Sequence, residues 1–405
     1  MSDPAHQYNP EIRDAKGVVV GEHNRIYQFF GSPQNARVAS KHIGFLPLIA
    51  EKTDGFVGRK FVFDALDEFL KNNKSGYFLI LGEPGIGKTA LMSQLVKTRG
   101  YAHHFNVAPQ NIRTPRQFLS NACAQLIARY NLDFDSIPED ATQDSNFLLR
   151  CLQDATASHE NRPVVLIVDA LDESERTGLS PRVNALYLPP NLPEGAFIVV
   201  SSRPLENLKL QVSNHKELFL EPDSEGNLLD IREFIDNYYS TSEKLRQKAS
   251  NWGVSESTFK SALSKKSEGN FIYLHFVLPA IVEGKFQKGT VDELPKGLKE
   301  YYRSHWELMQ IAEPKEFDTV YAPIVCMLAV VREPVTTDQL HYWTGIDSQN
   351  IRRAIQKWWE FLEGDRNDKF RIYHTSFQDF LGEMVDLKQY DEMIAKYYLE
   401  ILKKG

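Results

Sequence analysis

At 405 residues the chain is long enough for two to four domains of about 100–200 residues each. Its 42% hydrophobic and 25% charged residues are those of a globular protein with ample core material, and a formal charge of −7 argues against an overall nucleic-acid-binding surface. Cys123, Cys151 and Cys326 lie too far apart for a metal motif, no secretory leader is read in Met1–Asn9, and the most apolar run, Ile324–Val331, is too short to span a bilayer; a cytoplasmic protein without a membrane partner is expected.

Residues 1–44 read as an arm rather than a folded domain. Within it Val18–Val20 and Ile26–Phe30 are β-prone, with Gly21 to Arg25 as a plausible turn. An isolated hairpin is marginal in water and needs a partner. Segment 17–31 resembles the short amyloid-like signalling motifs that precede nucleotide-binding domains in bacterial and fungal immune receptors, which implies homotypic pairing with an effector. An arm that adds an edge strand to its own domain or to a neighbouring protomer is the competing reading.

A nucleotide domain is expected over 45–220. Val57, Gly58 and Arg59 form a turn before a helix whose stripe is Val62, Leu66, Phe69 and Leu70. A loop at this distance before a phosphate loop often closes over base and ribose. Tyr77–Leu81 is an apolar strand, followed by Gly82, Glu83, Pro84, Gly85, Ile86, Gly87, Lys88 and Thr89, and by a helix that Ala90 continues. Strand, G-x-x-x-x-G-K-T and helix in this order make a phosphate loop: glycines turn backbone N–H groups inward, Lys88 reaches the β- and γ-phosphates, and Thr89 sits on Mg²⁺. Ala102–Val107 reads as the next strand, and adjacent His103 and His104 face opposite ways on it, which argues against a metal pair. A helix follows from about Thr114.

Val164–Val168 is an unbroken apolar run that ends in Asp169, as a buried parallel strand does beside a phosphate loop. Asp169 is placed to hold Mg²⁺ opposite Thr89, and Asp172 and Glu173 to orient or deprotonate an attacking water. Phe197–Val200 repeats the pattern, and Arg203 beyond it is either a γ-phosphate sensor or a surface arginine. From 221 the pattern is helical: Leu228–Tyr239, a polar helical stretch, then Ser267–Glu283 with Gly269 and Asn270 at its start. Residues 294–405 give helices at Ile324–Val331, Thr336–Thr344 and Gln349–Trp359, a strand at Phe370–His374 and a helix at Ser376–Met384. That order suggests a winged helix. No internal repeat is visible.

Phe-Val-Gly-Arg (56–59), the phosphate loop, Val-Leu-Ile-Val-Asp-Ala-Leu-Asp-Glu (165–173), Val-Val-Ser-Ser-Arg-Pro (199–204), Gly-Asn-Phe-Ile-Tyr-Leu (269–274) and His-Thr-Ser-Phe-Gln-Asp-Phe-Leu (374–381) together resemble a NACHT-type member of the STAND ATPases, which include the NOD-like immune receptors. The resemblance implies an α/β P-loop NTPase domain, a helical domain over 221–293 and a winged-helix domain over 294–405. It implies ADP buried among them at rest, slow Mg²⁺-dependent ATP hydrolysis, and self-association through the nucleotide domain once ATP is bound. It further implies that His374 contacts the ADP β-phosphate, that Arg203 is a sensor, and that the setting is prokaryotic antiviral defence. Such receptors continue into repeats that sense the trigger, so the sensor is expected to be separate or missing here. A DNA-handling AAA+-type ATPase with a winged helix is the alternative. Residues 295–405 carry 15 Lys and Arg against 18 Asp and Glu, which makes them a poor nucleic-acid reader.

Overall fold

The computed structural model describes residues 17–22, 25–30, 43–134, 136–158, 162–175, 184–204, 212, 214–286, 288–364 and 368–404. Strands β1 (Gly17–Glu22) and β2 (Arg25–Phe30) pair antiparallel, from Gly17 opposite Phe30 to Glu22 opposite Arg25. Pairing thus extends further toward the turn than the apolar residues alone indicate. The side chains of 17–31, on which the signalling-motif reading depends, lie outside the described residues.

The centre of the molecule is a five-stranded parallel sheet flanked by helices, the fold of P-loop NTPases. Its strands are β3 (Gly76–Gly82), β4 (Ala102–Phe105), β5 (Val164–Asp169), β6 (Ala196–Ser202) and β7 (His215–Leu220), in spatial order β4-β5-β6-β3-β7. Strands β3, β5 and β6 are buried on both faces, which is why their sequences are apolar without alternation. Strand β7 closes one edge with alternating exposed residues, and that edge chemistry hid it from a search for apolar runs. Because β6 lies between β3 and β5, the phosphate loop and Asp169 stand two strands apart, with the end of β6 between them.

Helices α1 (Leu46–Lys52), α2 (Lys60–Asn72), α3 (Lys88–Arg99), α4 (Pro115–Tyr130) and α5 (Asn146–Ser158) cover the sheet. Thr114 and Gln117 form a reciprocal capping box that fixes the start of α4. Separate apolar clusters fill the two faces, one around Phe118, Leu126 and Leu166, the other around Val62, Ile80 and Leu95.

Helices α6 (Glu225–Thr241), α7 (Glu243–Asn251), α8 (Glu256–Lys266) and α9 (Phe271–Glu283) follow. The helix expected from Ser267 starts at Phe271 instead. Gly269, at φ +75°, makes the turn, and the Asn270 side chain caps the helix by accepting from the Ile272 and Tyr273 amides.

The C-terminal part contains α10 (Gly297–Ala312), α11 (Ala322–Val330), β8 (Val335–Thr336), α12 (Thr337–Thr344), α13 (Ser348–Trp358), β9 (Leu362–Gly364), β10 (Lys369–Ile372), α14 (Thr375–Met384) and α15 (Lys388–Lys404). The strands form an antiparallel sheet in the order β8-β10-β9. One apolar cluster runs from Ile231 in α6 to Tyr390 in α15, so the helical and C-terminal parts share a core. The last strand ends at Ile372, short of the expected His374, because His374 caps α14: its ring accepts from the Ser376 amide. No helix among the described residues is long and apolar enough to cross a membrane.

Candidate functional site

A cavity of about 980 Å³ opens where the carboxyl ends of β3, β5 and β6 meet the helical and C-terminal parts. Pro84, Gly85, Gly87, Lys88, Thr89 and Ala90 of the phosphate loop line it. Gly85 and Gly87 take φ +83° and +94°, backbone that glycine adopts without strain. Gly82 ends β3, Glu83 points to solvent, and Ile86 is buried in the core, so these three shape the loop from behind. The Lys88 ammonium donates to the carbonyls of Gly82 (2.6 Å) and Glu83 (3.1 Å). Burial pulls its pKa down, and Asp172 and Asp169 oppose that.

Val57 and Arg59 line the cavity, and Gly58 and Arg59 also do structural work beside it. A Cβ at Gly58 would fall 2.1 Å from the Asp230 carboxylate of α6. Arg59 is 2% exposed, and its guanidinium donates to the Ile86 carbonyl and to Asn227 Oδ1 (2.9 Å), lies 3.6 Å from Asp230 and covers the Phe271 ring at 4.9 Å. Burial lowers its pKa to about 10 against the pull of Asp230. One arginine thus joins the phosphate loop to α6 and α9. The loop is held a second time through Asn270, whose amide donates to Pro84 O (3.1 Å), and through the Phe271 amide, which donates to Gly85 O (3.1 Å).

Asp169 ends β5 fully buried. Its carboxylate accepts from the hydroxyls of Ser201 and Thr89, and burial pushes its pKa up against those bonds and Lys88. Asn106, at the end of β4, donates from its side chain to Asp169 O at 2.8 Å. Thr89 and Asp169 present adjacent hard oxygens, a donor set suited to Mg²⁺. No three His, Cys, Asp or Glu side chains converge among the described residues, so a cation held by Thr89 and Asp169 would complete its shell with phosphate oxygens and water. Bound there, it would offset charge on the terminal phosphates. His103 and His104 serve the core: His103 Nδ1 is 3.0 Å from Tyr101 O, and His104 is buried against Asn121.

Asp172 and Glu173 both line the cavity but are held differently. Asp172 accepts from the Arg203 amide (3.1 Å) and lies 3.2 Å from Arg203 Nε. Glu173 accepts from the Ala108 amide at 3.0 Å, and burial pushes its pKa up to about 7. A carboxylate poised there suits a general base, while Asp172 positions Arg203. The rest of the Arg203 guanidinium reaches α14, donating to Thr375 Oγ1 (2.7 Å) and Asp379 (2.9 Å).

His374 lines the cavity from the C-terminal part. Its Nδ1 accepts from the Ser376 amide at 3.2 Å, which leaves the proton on Nε2. Burial, helped by Lys52 and Arg203, lowers its pKa to about 3, so the ring is neutral at pH 7. Next to it Tyr373 stacks on His275 of α9, with ring centroids 5.4 Å apart, and Lys52 of α1 donates to the Tyr373 hydroxyl at 3.2 Å.

Sequence reasoning missed Asn106, Ser201, Asn227, Asp230, His275 and Asp379. Ser201 and Asp379 stood inside quoted motifs without a role. Asn227 and Asp230 read as the polar face of α6, with nothing to show that they meet a buried arginine.

Residues 55–193 match the family model described as an AAA ATPase domain. No curated protein matches the chain. Among solved structures, the chain is similar to a signal transduction ATPase with numerous domains (STAND) carrying a tetratricopeptide repeat sensor, from Pyrococcus horikoshii, at 16% identity and TM-score 0.44, over 86% of this chain and 46% of that one. This chain therefore spans under half the length of that protein. It is also similar to Drosophila ORC bound to DNA (16% identity, TM-score 0.35, 87% and 98% of the two chains) and to Thermotoga maritima RuvB (13%, 0.33, 79% and 94%). The sequence match over 55–193 and the parallel sheet agree on a nucleotide domain of the AAA ATPase type.

Proposed function

We propose that this protein is a STAND ATPase of the NACHT type: a nucleotide-controlled conformational and oligomerisation switch. ADP rests in the cavity, and ATP with Mg²⁺ turns the switch on. Lys88 and the loop amides hold the phosphates, Thr89 and Asp169 hold Mg²⁺, and Glu173 deprotonates water. The observation that carries this reading is the engagement of Arg203 with Thr375 and Asp379. A side chain suited to a γ-phosphate is instead spent on the C-terminal part, so a third phosphate and the docked arrangement compete for one guanidinium. The helices and antiparallel strands of 294–404 support a winged helix in the role of the swinging part, with His374 beside the β-phosphate. Undocking would expose the nucleotide domain for self-association, and segment 17–31 would pass the signal to a homotypic effector in an antiviral response.

Identification of the nucleotide released from purified protein, with Lys88→Ala as control, tests this. Bound ADP that the variant lacks is the expected result. Protein without nucleotide that hydrolyses ATP only when DNA is added would overturn the switch in favour of a DNA-handling ATPase.

A further inference from the structure

The segment after β4 touches both the candidate base and the C-terminal part. Ala108 donates its amide to Glu173 at 3.0 Å. Two residues on, Gln110, with its amide oxygen turned toward the guanidinium, accepts from Arg371 Nη1 and Nη2 at 2.8 and 2.9 Å. The neighbouring Asn111 donates to Glu333 at 2.9 Å. Arg371 is aimed by its own sheet, since its Nε and Nη2 also donate to Glu363 across the β9–β10 pair at 2.9 and 2.6 Å.

The intervening backbone is pinched. Val107 and Ile112 exchange amide–carbonyl bonds at 2.7 and 3.3 Å, and Gln117 Nε2 holds Asn111 O at 2.9 Å. A loop closed on itself moves as a body, so a displacement at Gln110 arrives at Ala108. Val107, Gln110, Ile112 and Arg371 line the same cavity, but the phosphate loop itself is anchored elsewhere, through Arg59, Asn270 and Phe271.

We propose that the pinched loop 107–112 is a lever through which the docked C-terminal part keeps Glu173 on the Ala108 amide and away from an attacking water. Arg371 and Gln110 are then positioning residues for hydrolysis, acting through Ala108. Docking restrains turnover in ATP-bound protein that has not yet undocked, and undocking, the slower step, releases the base. The proposal rests on the ATP-hydrolysing switch set out above.

The test is single-turnover hydrolysis of prebound ATP with Mg²⁺ by the full chain, in a double-mutant cycle of Gln110→Ala and Arg371→Ala, with ATP affinity measured on the same proteins. Each single variant should raise the hydrolysis rate of the prebound ATP about 3- to 10-fold, the scale of one or two hydrogen bonds, whatever its effect on affinity. The double variant should be no faster than the faster single one, because both cut the same link. Arg371→Lys, which keeps a donor for Gln110, should behave as wild type. Unchanged rates, effects that multiply, or an Arg371→Lys as fast as Arg371→Ala would overturn the lever while ATP binding stands. Wild-type protein without Lys88-dependent ATP binding would overturn the switch and the lever together.

Discussion

Arg203 and Asp379 are 176 positions apart in sequence and meet in an ion pair of 2.9 Å that ties the end of β6 to α14. The arginine is also oriented by Asp172, so the pair connects the nucleotide site to the C-terminal part through a single side chain.

Removing the outer partner should loosen that tie without touching the site. Asp379 is half-exposed, so its pair is worth only about 1 kcal/mol or less. Asp379→Ala is expected to speed release of bound ADP by about 2- to 5-fold. Stopped-flow release of a fluorescent ADP analogue checks this, and an unchanged rate would separate the pair from nucleotide retention.

Lys88→Ala should cost about 100-fold or more in ADP affinity, the scale of a charge-assisted contact to phosphate in a partly dry site. Titration calorimetry reads the affinity. Melting without nucleotide should move far less than affinity, since the lysine's hydrogen bonds go to carbonyls of its own loop and the nearby Asp169 keeps its bond from Ser201.

Arg59→Ala should be the most destabilising single change near the site, by about 3–5 kcal/mol, because it strands a buried carboxylate at Asp230 and uncovers Phe271. Arg59→Lys should recover little of this, as an ammonium cannot serve Ile86, Asn227 and Asp230 at once. Urea unfolding of both variants measures it, and a Lys variant as stable as wild type would count against the fork geometry.

The pH dependence follows from two shifted groups with opposite signs. His374 has a folded pKa of about 3 against an ordinary 6.5, so the unfolded chain protonates first. Its stabilising contribution is complete above 6.5 and is lost as pH falls from 6.5 toward 3. Glu173, raised from 4.5 to about 7, contributes fully below 4.5, and that contribution is lost as pH rises through 7. Urea midpoints of His374→Gln should therefore fall less steeply with acid than wild type, and those of Glu173→Gln more steeply. Parallel curves for wild type and His374→Gln would contradict the buried neutral imidazole.

The sheet and phosphate loop were legible because buried parallel strands carry apolar runs, and Asp169 could be placed because such a run stops at an acid. Strand β7 was not, since His215 to Leu220 alternates charge and apolar side chains as an edge does. Arg59 could be placed at the cavity from its loop, but its partners 168 and 171 residues downstream could not, since they lie on a helix face whose periodicity says only that it is polar. The contact between Gln110 and Arg371 has no local signature at all. It exists because two parts of the chain dock, and docking leaves no period in the sequence.

The bond from the Phe271 amide to Gly85 O runs from backbone to backbone, and Gly85 has no side chain to remove. Alanine scanning would pass over this joint in silence. A Cβ at Gly85 would stand 2.6 Å from Asn270 Oδ1, so Gly85→Ala would wedge α9 away from the loop even in a protein that never meets a phosphate. Loss of function in that variant would mimic a binding defect while being a fault of assembly between neighbouring parts of the chain. Only a comparison of ligand-free proteins would tell the two apart.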